Sequence, residues 1–377
     1  MAYIKRILNI KKMLTPGRVL IIYGPRRVGK STILDHFLSE YDGKCLRESG
    51  ENIRLQNLLS SRDFSVMLPH VEGLQLYALD EAQLVPNVGT ALKIFVDEVK
   101  GMLIIATGSS SFDLAQQVGE PLTGRKWTIV LYPFSQQELL PLCRNKEELQ
   151  SKLEEILLFG TYPEVFLAET NEEKMRILHE LVDSYVFKDI LAMNRVKGSG
   201  QLLDLVKLLA LQVGSEVSVG KLAKEIGSDG VTVKRYLDLL EKAFVIKKIG
   251  GYSNNLHKEV TSKAKYYFID NGIRNAIINQ WNGMDNRTDA GALFENFVVM
   301  ERIKKLSYAG DIATHYFWRT YDGQEIDLVE DRPDQLAGIE IKYNPRKGVH
   351  APKAWQEGYP KATFSLITKE NYLDYLL

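Results

Sequence analysis

Apolar residues follow two rhythms along the chain. From Arg18 to about Glu169, short unbroken apolar runs alternate with stretches of helical period. Val19–Tyr23, Leu74–Leu79, Met102–Thr107 and Trp127–Leu131 are rich in aliphatic or aromatic residues and show no polar alternation. Strands covered on both faces read this way, so the segment predicts a parallel α/β sheet with helical crossovers. From about Glu172 to Arg195 the pattern is helical and charged, which predicts a connector or part of a helical lid.

The rhythm then changes. Gln201–Val213, Ser218–Ile226 and Thr232–Ala243 read as helices, with Ser218 as an N-cap and Gly227-Ser228-Asp229-Gly230 as the turn before the third. Val233, Tyr236, Leu237 and Leu240 form its apolar stripe. Phe244–Ile249 and Lys265–Ile269 read as strands around a polar loop, an order that predicts a winged helix-turn-helix. After Thr288 come a helix over Gly291–Leu306, strands over Thr314–Arg319, Glu325–Glu330 and Ala337–Tyr343, then a helix. Four segments result: an α/β domain over 1–169, a connector or lid over 170–200, a winged helix over 201–287 and a second α/β domain over 288–377.

Length agrees with this count, because 377 residues at roughly 150 per domain give two or three cores. Hydrophobic residues are 45% and charged residues 25%, ordinary for a globular chain and unlike collagen, a long coiled coil or wholesale disorder. Lys+Arg and Asp+Glu are both 48, so nucleic acid would have to be met by a local patch rather than by a whole-molecule field. Cys45 and Cys143 are too few for a disulfide framework. No apolar run approaches the roughly 20 residues of a membrane span, and Lys5, Arg6, Lys11 and Lys12 interrupt the N-terminal stretch as no secretory signal would. A cytoplasmic protein without membrane association is expected.

The sharpest chemical signal is Gly24-Pro25-Arg26-Arg27-Val28-Gly29-Lys30-Ser31-Thr32, which fits G-x-x-x-x-G-K-[ST]. Gly24 and Gly29 let the backbone wrap so that its N–H groups face phosphate oxygens. Lys30 supplies a charge near the β and γ phosphates, and the Ser31 hydroxyl suits Mg²⁺. A strand precedes the motif and a helix follows it, placing a helix N-terminus at the anion. Leu76 to Asp80 is a second apolar strand ending in Asp80-Glu81. Asp80 is placed to hold Mg²⁺ with Ser31, and Glu81 to orient the attacking water. Thr107, at the end of another strand, is a candidate γ-phosphate sensor or simply a helix cap. Arg125 is a candidate arginine finger, acting in cis or on a neighbour's nucleotide, or a surface ion pair.

G-P-R-R-V-G-K-S, L-D-E-A-Q at 79–83, T-G-S-S-S at 107–111, L-T-G-R at 122–125, L-Y-P-F-S-Q-Q-E at 131–138 and G-T-Y-P-E at 160–164 together resemble a prokaryotic P-loop ATPase family of the AAA+ superfamily. Its members carry a winged helix and a C-terminal restriction-endonuclease-like domain. The resemblance implies ATP and Mg²⁺ as cofactors and leaves the biological role open.

The C-terminal segment holds an acidic constellation. Strand alternation puts Glu340 and Lys342 on one face against Ile339 and Ile341, and sets Asp327 opposite Ile326 and Leu328. Neighbouring strands would bring Asp327, Glu340 and Lys342 together, with Glu295 joining from a helix whose Val298 and Val299 direct it inward. Glu295, Asp327 and Glu340 could hold Mg²⁺ while Lys342 positions a water. The pattern resembles the PD-(D/E)xK nuclease superfamily at these four positions; the alternative is a buried ion-pair cluster in an inactive fold. Between Lys221 and Lys265 stand ten Lys/Arg and five Asp/Glu. Lys234 and Arg235 open the third helix, where DNA would be met, and Lys247, Lys248, Lys258, Lys263 and Lys265 lie on or beside the wing. Three functions follow: an ATP-driven switch, with a protein partner or a second copy of the chain; an ATP-regulated DNA nuclease; and a DNA-bound regulator that binds ATP without turnover.

Overall fold

The structure, a computed structural model, describes residues 3–109, 122–184, 199–253, 263–345 and 348–377. The chain forms two compact units, residues 1–133 with 242–244, and residues 134–241 with 245–377.

In the first unit, β1 (Val19–Tyr23), β2 (Cys45–Ser49), β3 (Leu76–Asp80), β4 (Leu103–Gly108) and β5 (Lys126–Val130) form one sheet in the order β2-β3-β4-β1-β5. Every pairing is parallel. The residues of β1 and β3 are buried throughout, as a sheet covered on both faces requires. The helix Val88–Glu98 shows why it packs: Val88, Ala91, Leu92 and Phe95 recur at i, i+3, i+4 and i+7 and are fully buried. Phe95 meets Tyr77 of β3 edge-on, with ring centroids 5.4 Å apart. Truncating Phe95 to Ala would cost about 3–5 kcal/mol.

This order fixes the site. Because β4 lies between β1 and β3, with Ile22 beside Thr107 and Leu79 beside Ala106, the loop leaving β1 and the carboxylates ending β3 emerge at one edge. Thr107 stands between them. The edge strand β2, Cys-Leu-Arg-Glu-Ser, escapes the apolar pattern because it is half-exposed along its length.

In the second unit, β6 (Glu216–Val217), β7 (Ile246–Gly251), β8 (Ala264–Phe268), β9 (Thr314–Arg319), β10 (Glu325–Asp331), β11 (Leu336–Lys342) and β12 (Thr363–Thr368) share a mixed sheet ordered β12-β11-β10-β9-β7-β8-β6. Strands from 201–287 and from 288–377 therefore belong to one sheet, joined where β7 runs parallel to β9. The helices Ser199–Leu211, Val219–Glu225 and Gly230–Lys242 precede β7. The Ser218 side chain accepts from the Lys221 N–H, capping the second of them. In the third, Val233, Tyr236, Leu237 and Leu240 are buried.

The helix Ala290–Ala309 precedes the meander β9-β10-β11, and the helix Lys353–Gly358 then leads to β12, which lies parallel to β11. Sequence patterning misses β12, a strand whose first four residues are not buried. Trp355 is fully buried among Trp318, Ile326 and Val329. It packs so tightly on β11 that a Cβ at Gly338 would lie 3.2 Å from its ring. The second unit also takes in residues 134–184, including the helices Leu153–Phe159 and Asn171–Leu181.

Candidate functional site

The phosphate loop follows β1 directly. A Cβ at Gly24 would fall 2.2 Å from the Leu131 carbonyl oxygen, so only glycine allows the chain to turn there. Gly29 caps the helix Lys30–Ser39 with φ +91° and Arg27 is left-handed at φ +59°, a conformation that side chains seldom adopt. Pro25 and Val28 are buried, while Arg26, Arg27 and Thr32 face solvent and Ser31 is half-buried.

Lys30 is buried, and its Nζ donates to the carbonyl oxygens of Gly24 at 3.0 Å and Pro25 at 2.7 Å. Burial pushes its ammonium down to about 8; Glu81 and Asp80 oppose that shift and Arg26 adds to it. An arriving triphosphate would supply the missing counter-charge.

Across β4, Asp80 is held from several directions. Its Oδ1 accepts from the Thr107 hydroxyl and from the Glu81 N–H, the latter at 3.2 Å, and its Oδ2 accepts from Arg47 at 2.9 Å. Arg47 also pairs with Asp35 at 2.6 Å. Glu81 is left-handed, with φ +48°, a strain that tends to collect at functional sites. Gly50 permits this turn, because a Cβ there would lie 2.3 Å from the Glu81 carbonyl oxygen. The Glu81 carboxylate accepts from the Gln83 amide, which also donates to Ser109 at 3.1 Å.

Ser31 and Asp80 present oxygen only, the donor type Mg²⁺ takes. Asp80 uses one lone-pair direction on Arg47 and shares the other oxygen, so it suits a cation reached through water. The residues fit the ion.

Arg125 lies elsewhere. Its carbonyl accepts from Val19 N, at the start of β1, so it sits about 13 Å of strand away from the loop that leaves the other end. Its Nε pairs with Asp97 at 2.8 Å. Parallel pairing of β1 and β5 puts Arg125 at the sheet edge opposite its own phosphate loop.

Sequence reasoning missed Arg6, Arg47 and Gly50. Arg6 is buried and donates to the carbonyls of Val28 at 2.8 Å and Tyr132 at 2.6 Å. A carboxylate pattern could have flagged Arg47, since Asp35 and Asp80 need a cation. Nothing local marks Arg6. Positions 110 and 111 of the T-G-S-S-S run lie outside the described residues.

The second unit does gather Glu295, Asp327, Glu340 and Lys342. Lys342 Nζ lies 3.1 Å from Asp327 Oδ2 and 2.7 Å from Glu340 Oε1. Ile341 N–H donates to Asp327 Oδ2 at 2.9 Å, and the Tyr267 hydroxyl donates to Glu295 at 2.7 Å. Burial, with repulsion from Asp327, pushes the Glu295 carboxyl up to about 7 against the pull of Lys265.

Lys265 is the surprise. The sequence puts it on the wing surface, yet its side chain is 2% exposed and its Nζ stands 2.5 Å from Glu325, 3.4 Å from Glu295 and 3.8 Å from Asp327. The reason is that both faces of β8 are covered: Lys265 lies in a fully buried strand, where only carboxylates make an ammonium tolerable. Among the described residues no group of three His, Cys, Asp or Glu side chains is disposed to hold a metal ion. With an ammonium among three of its carboxylates, the cluster does not fit a divalent cation.

Lys234 and Arg235 are exposed on their helix. On and beside β7 and β8, Lys247 pairs with Glu241 at 3.4 Å and Lys263 with Glu216 at 2.9 Å; Lys258 lies outside the described residues. No helix among the described residues is long and apolar enough to cross a membrane.

Residues 16–140 match the family model described as an AAA domain. Residues 150–283 and 290–373 match two domains of unknown function, DUF8612 and DUF4143. The chain is 26% identical to an uncharacterized protein of Haemophilus influenzae, over 88% of this chain and 84% of that one. It is 25% identical to uncharacterized proteins of Mycobacterium tuberculosis, covering 89% of this chain and 72% of that one, and of Methanocaldococcus jannaschii, covering 79% and 69%. A mutant RuvB of Thermotoga maritima superposes with a TM-score of 0.28 at 14% identity, over 61% of this chain and 82% of that one. At that score the overlay adds nothing to the strand order. The loop, the carboxylates of β3 and the family match agree on one point: residues 16–140 are similar to an AAA-type P-loop domain.

Proposed function

We propose that the protein binds ATP with Mg²⁺, hydrolyses it to ADP and phosphate, and uses the nucleotide state as a switch. The observation carrying this reading is the buried Lys30 ammonium, which donates to the loop carbonyls of Gly24 and Pro25 and stands in the field of Asp80 and Glu81. That arrangement costs desolvation and is repaid when phosphate arrives. Lys30 and the loop backbone bind the triphosphate, and Glu81, released from Gln83, orients water toward the γ-phosphorus. Ser31 and Asp80 would hold Mg²⁺, which when bound neutralises charge on the phosphates. Arg125 is assigned to a neighbouring copy's nucleotide, a role its place at the opposite sheet edge supports.

Phosphate release from ATP, dependent on Mg²⁺ and lost in Lys30→Ala, is expected. Equal release by both proteins would overturn the reading.

The DNA-bound regulator is kept as a second reading because Lys234 and Arg235 are exposed near the start of the third helix of a helix-strand-helix-helix-strand-strand order that supports a winged helix. Neutralising both should then weaken DNA retention and lower its salt slope. The nuclease alternative draws support only from the αβββαβ order after Ala290 and from Glu295, Asp327, Glu340 and Lys342.

A further inference from the structure

We infer that Lys265 is a permanent internal substitute for a divalent cation, so that the C-terminal acidic cluster is a metal-free structural core and not a phosphodiesterase centre. The inference does not depend on nucleotide chemistry in the first unit.

Geometry carries it. Four carboxylates converge from three elements: Glu295 from the helix Ala290–Ala309, Glu325 and Asp327 from β10, and Glu340 from β11. A divalent ion shared by Glu295 and Asp327 would need to sit about 2–2.5 Å from an oxygen of each. Lys265 Nζ already lies 3.4 Å from Glu295 Oε1 and 3.8 Å from Asp327 Oδ1, so an ion bridging those two oxygens would stand beside the ammonium and be repelled by its charge. The other oxygen of Asp327 is taken by Lys342 Nζ and the Ile341 N–H. Glu295 Oε1 is further occupied by the Tyr267 hydroxyl.

The surroundings hold this cation in place. Burial opposes the charged form, but Glu295, Asp327 and Glu325 overcome it and keep the ammonium protonated. Lys265 reaches the cluster from β8, separated from β10 in the sheet by β9 and β7, and so ties the strand pair of the winged-helix segment to the C-terminal strands. A nuclease site requires its metal to enter and leave; a lysine side chain does neither. Lys342 is likewise engaged by Asp327 and Glu340.

The test is titration of the full-length, nucleotide-free protein with Mn²⁺ in a calorimeter. The wild type should bind no Mn²⁺ at the cluster. Lys265→Met, which keeps the volume and removes the charge, should gain one Mn²⁺ per chain, and adding Asp327→Asn should remove it again. Thermal melting should show the gain independently, with Mn²⁺ raising the transition of Lys265→Met and leaving the wild type unmoved. One Mn²⁺ per wild-type chain, lost in Asp327→Asn, would overturn the inference, as would a folded Lys265→Met that binds none. If Lys265→Met does not fold, the wild-type and Asp327→Asn titrations decide alone: silence in both supports the substitute, and binding abolished by Asp327→Asn refutes it.

Discussion

The guanidinium of Arg6 donates to the carbonyl of Val28 at 2.8 Å, bracing the phosphate loop from outside. Its second nitrogen donates to the Tyr132 carbonyl, so one buried cation joins the loop to the segment beyond β5. Arg6→Ala would leave two carbonyls without their charged donor. The expected result is roughly a tenfold loss of ATP affinity at about 1.5 kcal/mol, with partial recovery in Arg6→Lys. Unchanged affinity in titrations of both variants would show that the loop needs no brace.

Glu81 is held in a left-handed turn with its carboxylate on Gln83. Replacing it by Gln keeps the shape and removes the base. Turnover should fall on the order of a hundredfold or more while ATP binding stays near the wild-type level, so that unhydrolysed ATP is recovered from the purified variant. Wild-type turnover would remove Glu81 from the mechanism.

Gly24 has no room for a side chain against the Leu131 carbonyl. Gly24→Ala must move one backbone segment or the other, so ATP binding should be lost although the second unit remains folded. Far-UV circular dichroism near the wild-type signal together with a silent ATP titration is the expected pair of results. Normal ATP binding would mean that the loop is looser than described.

His315, on β9 opposite Glu330, bears on stability rather than chemistry. Burial pushes its imidazole from the ordinary 6.5 down to about 4; Glu330 opposes this, while Lys247, Arg302 and Arg332 reinforce it. The unfolded chain takes up a proton near 6.5 and the folded one only near 4. The stability is therefore complete above pH 6.5 and is lost as pH falls toward 4, by at most about 1.4 kcal/mol per pH unit. Urea midpoints from tryptophan fluorescence at pH 7 and pH 5 should converge in His315→Gln relative to the wild type. Identical pH slopes in the two proteins would contradict the assignment.

The features legible in the sequence are those with local causes. The left-handed turn at Gly29, the apolar β1 and β3, and the Ser218 cap each depend on residues within a few positions. β2 is hidden because Cys45 to Ser49 form a half-exposed edge strand with no apolar run. Arg6 is invisible because its partners lie 22 and 126 residues away. Lys265 is misread for a different reason. Counting it in a basic stretch treats its charge as surface, whereas a lysine between alanine and tyrosine in a short apolar strand signals burial and a need for carboxylates. Glu325, two residues before Asp327 and on the same strand face, was the available clue.

The most direct measurement is titration of ATP, in the presence of Mg²⁺, into the wild type and into Lys30→Ala. A single site per chain in the wild type is predicted. In Lys30→Ala it should weaken by on the order of 10–100-fold, as the loss of charge-assisted contacts to phosphate requires. No heat with the wild type, or equal affinity in the two proteins, would contradict the account.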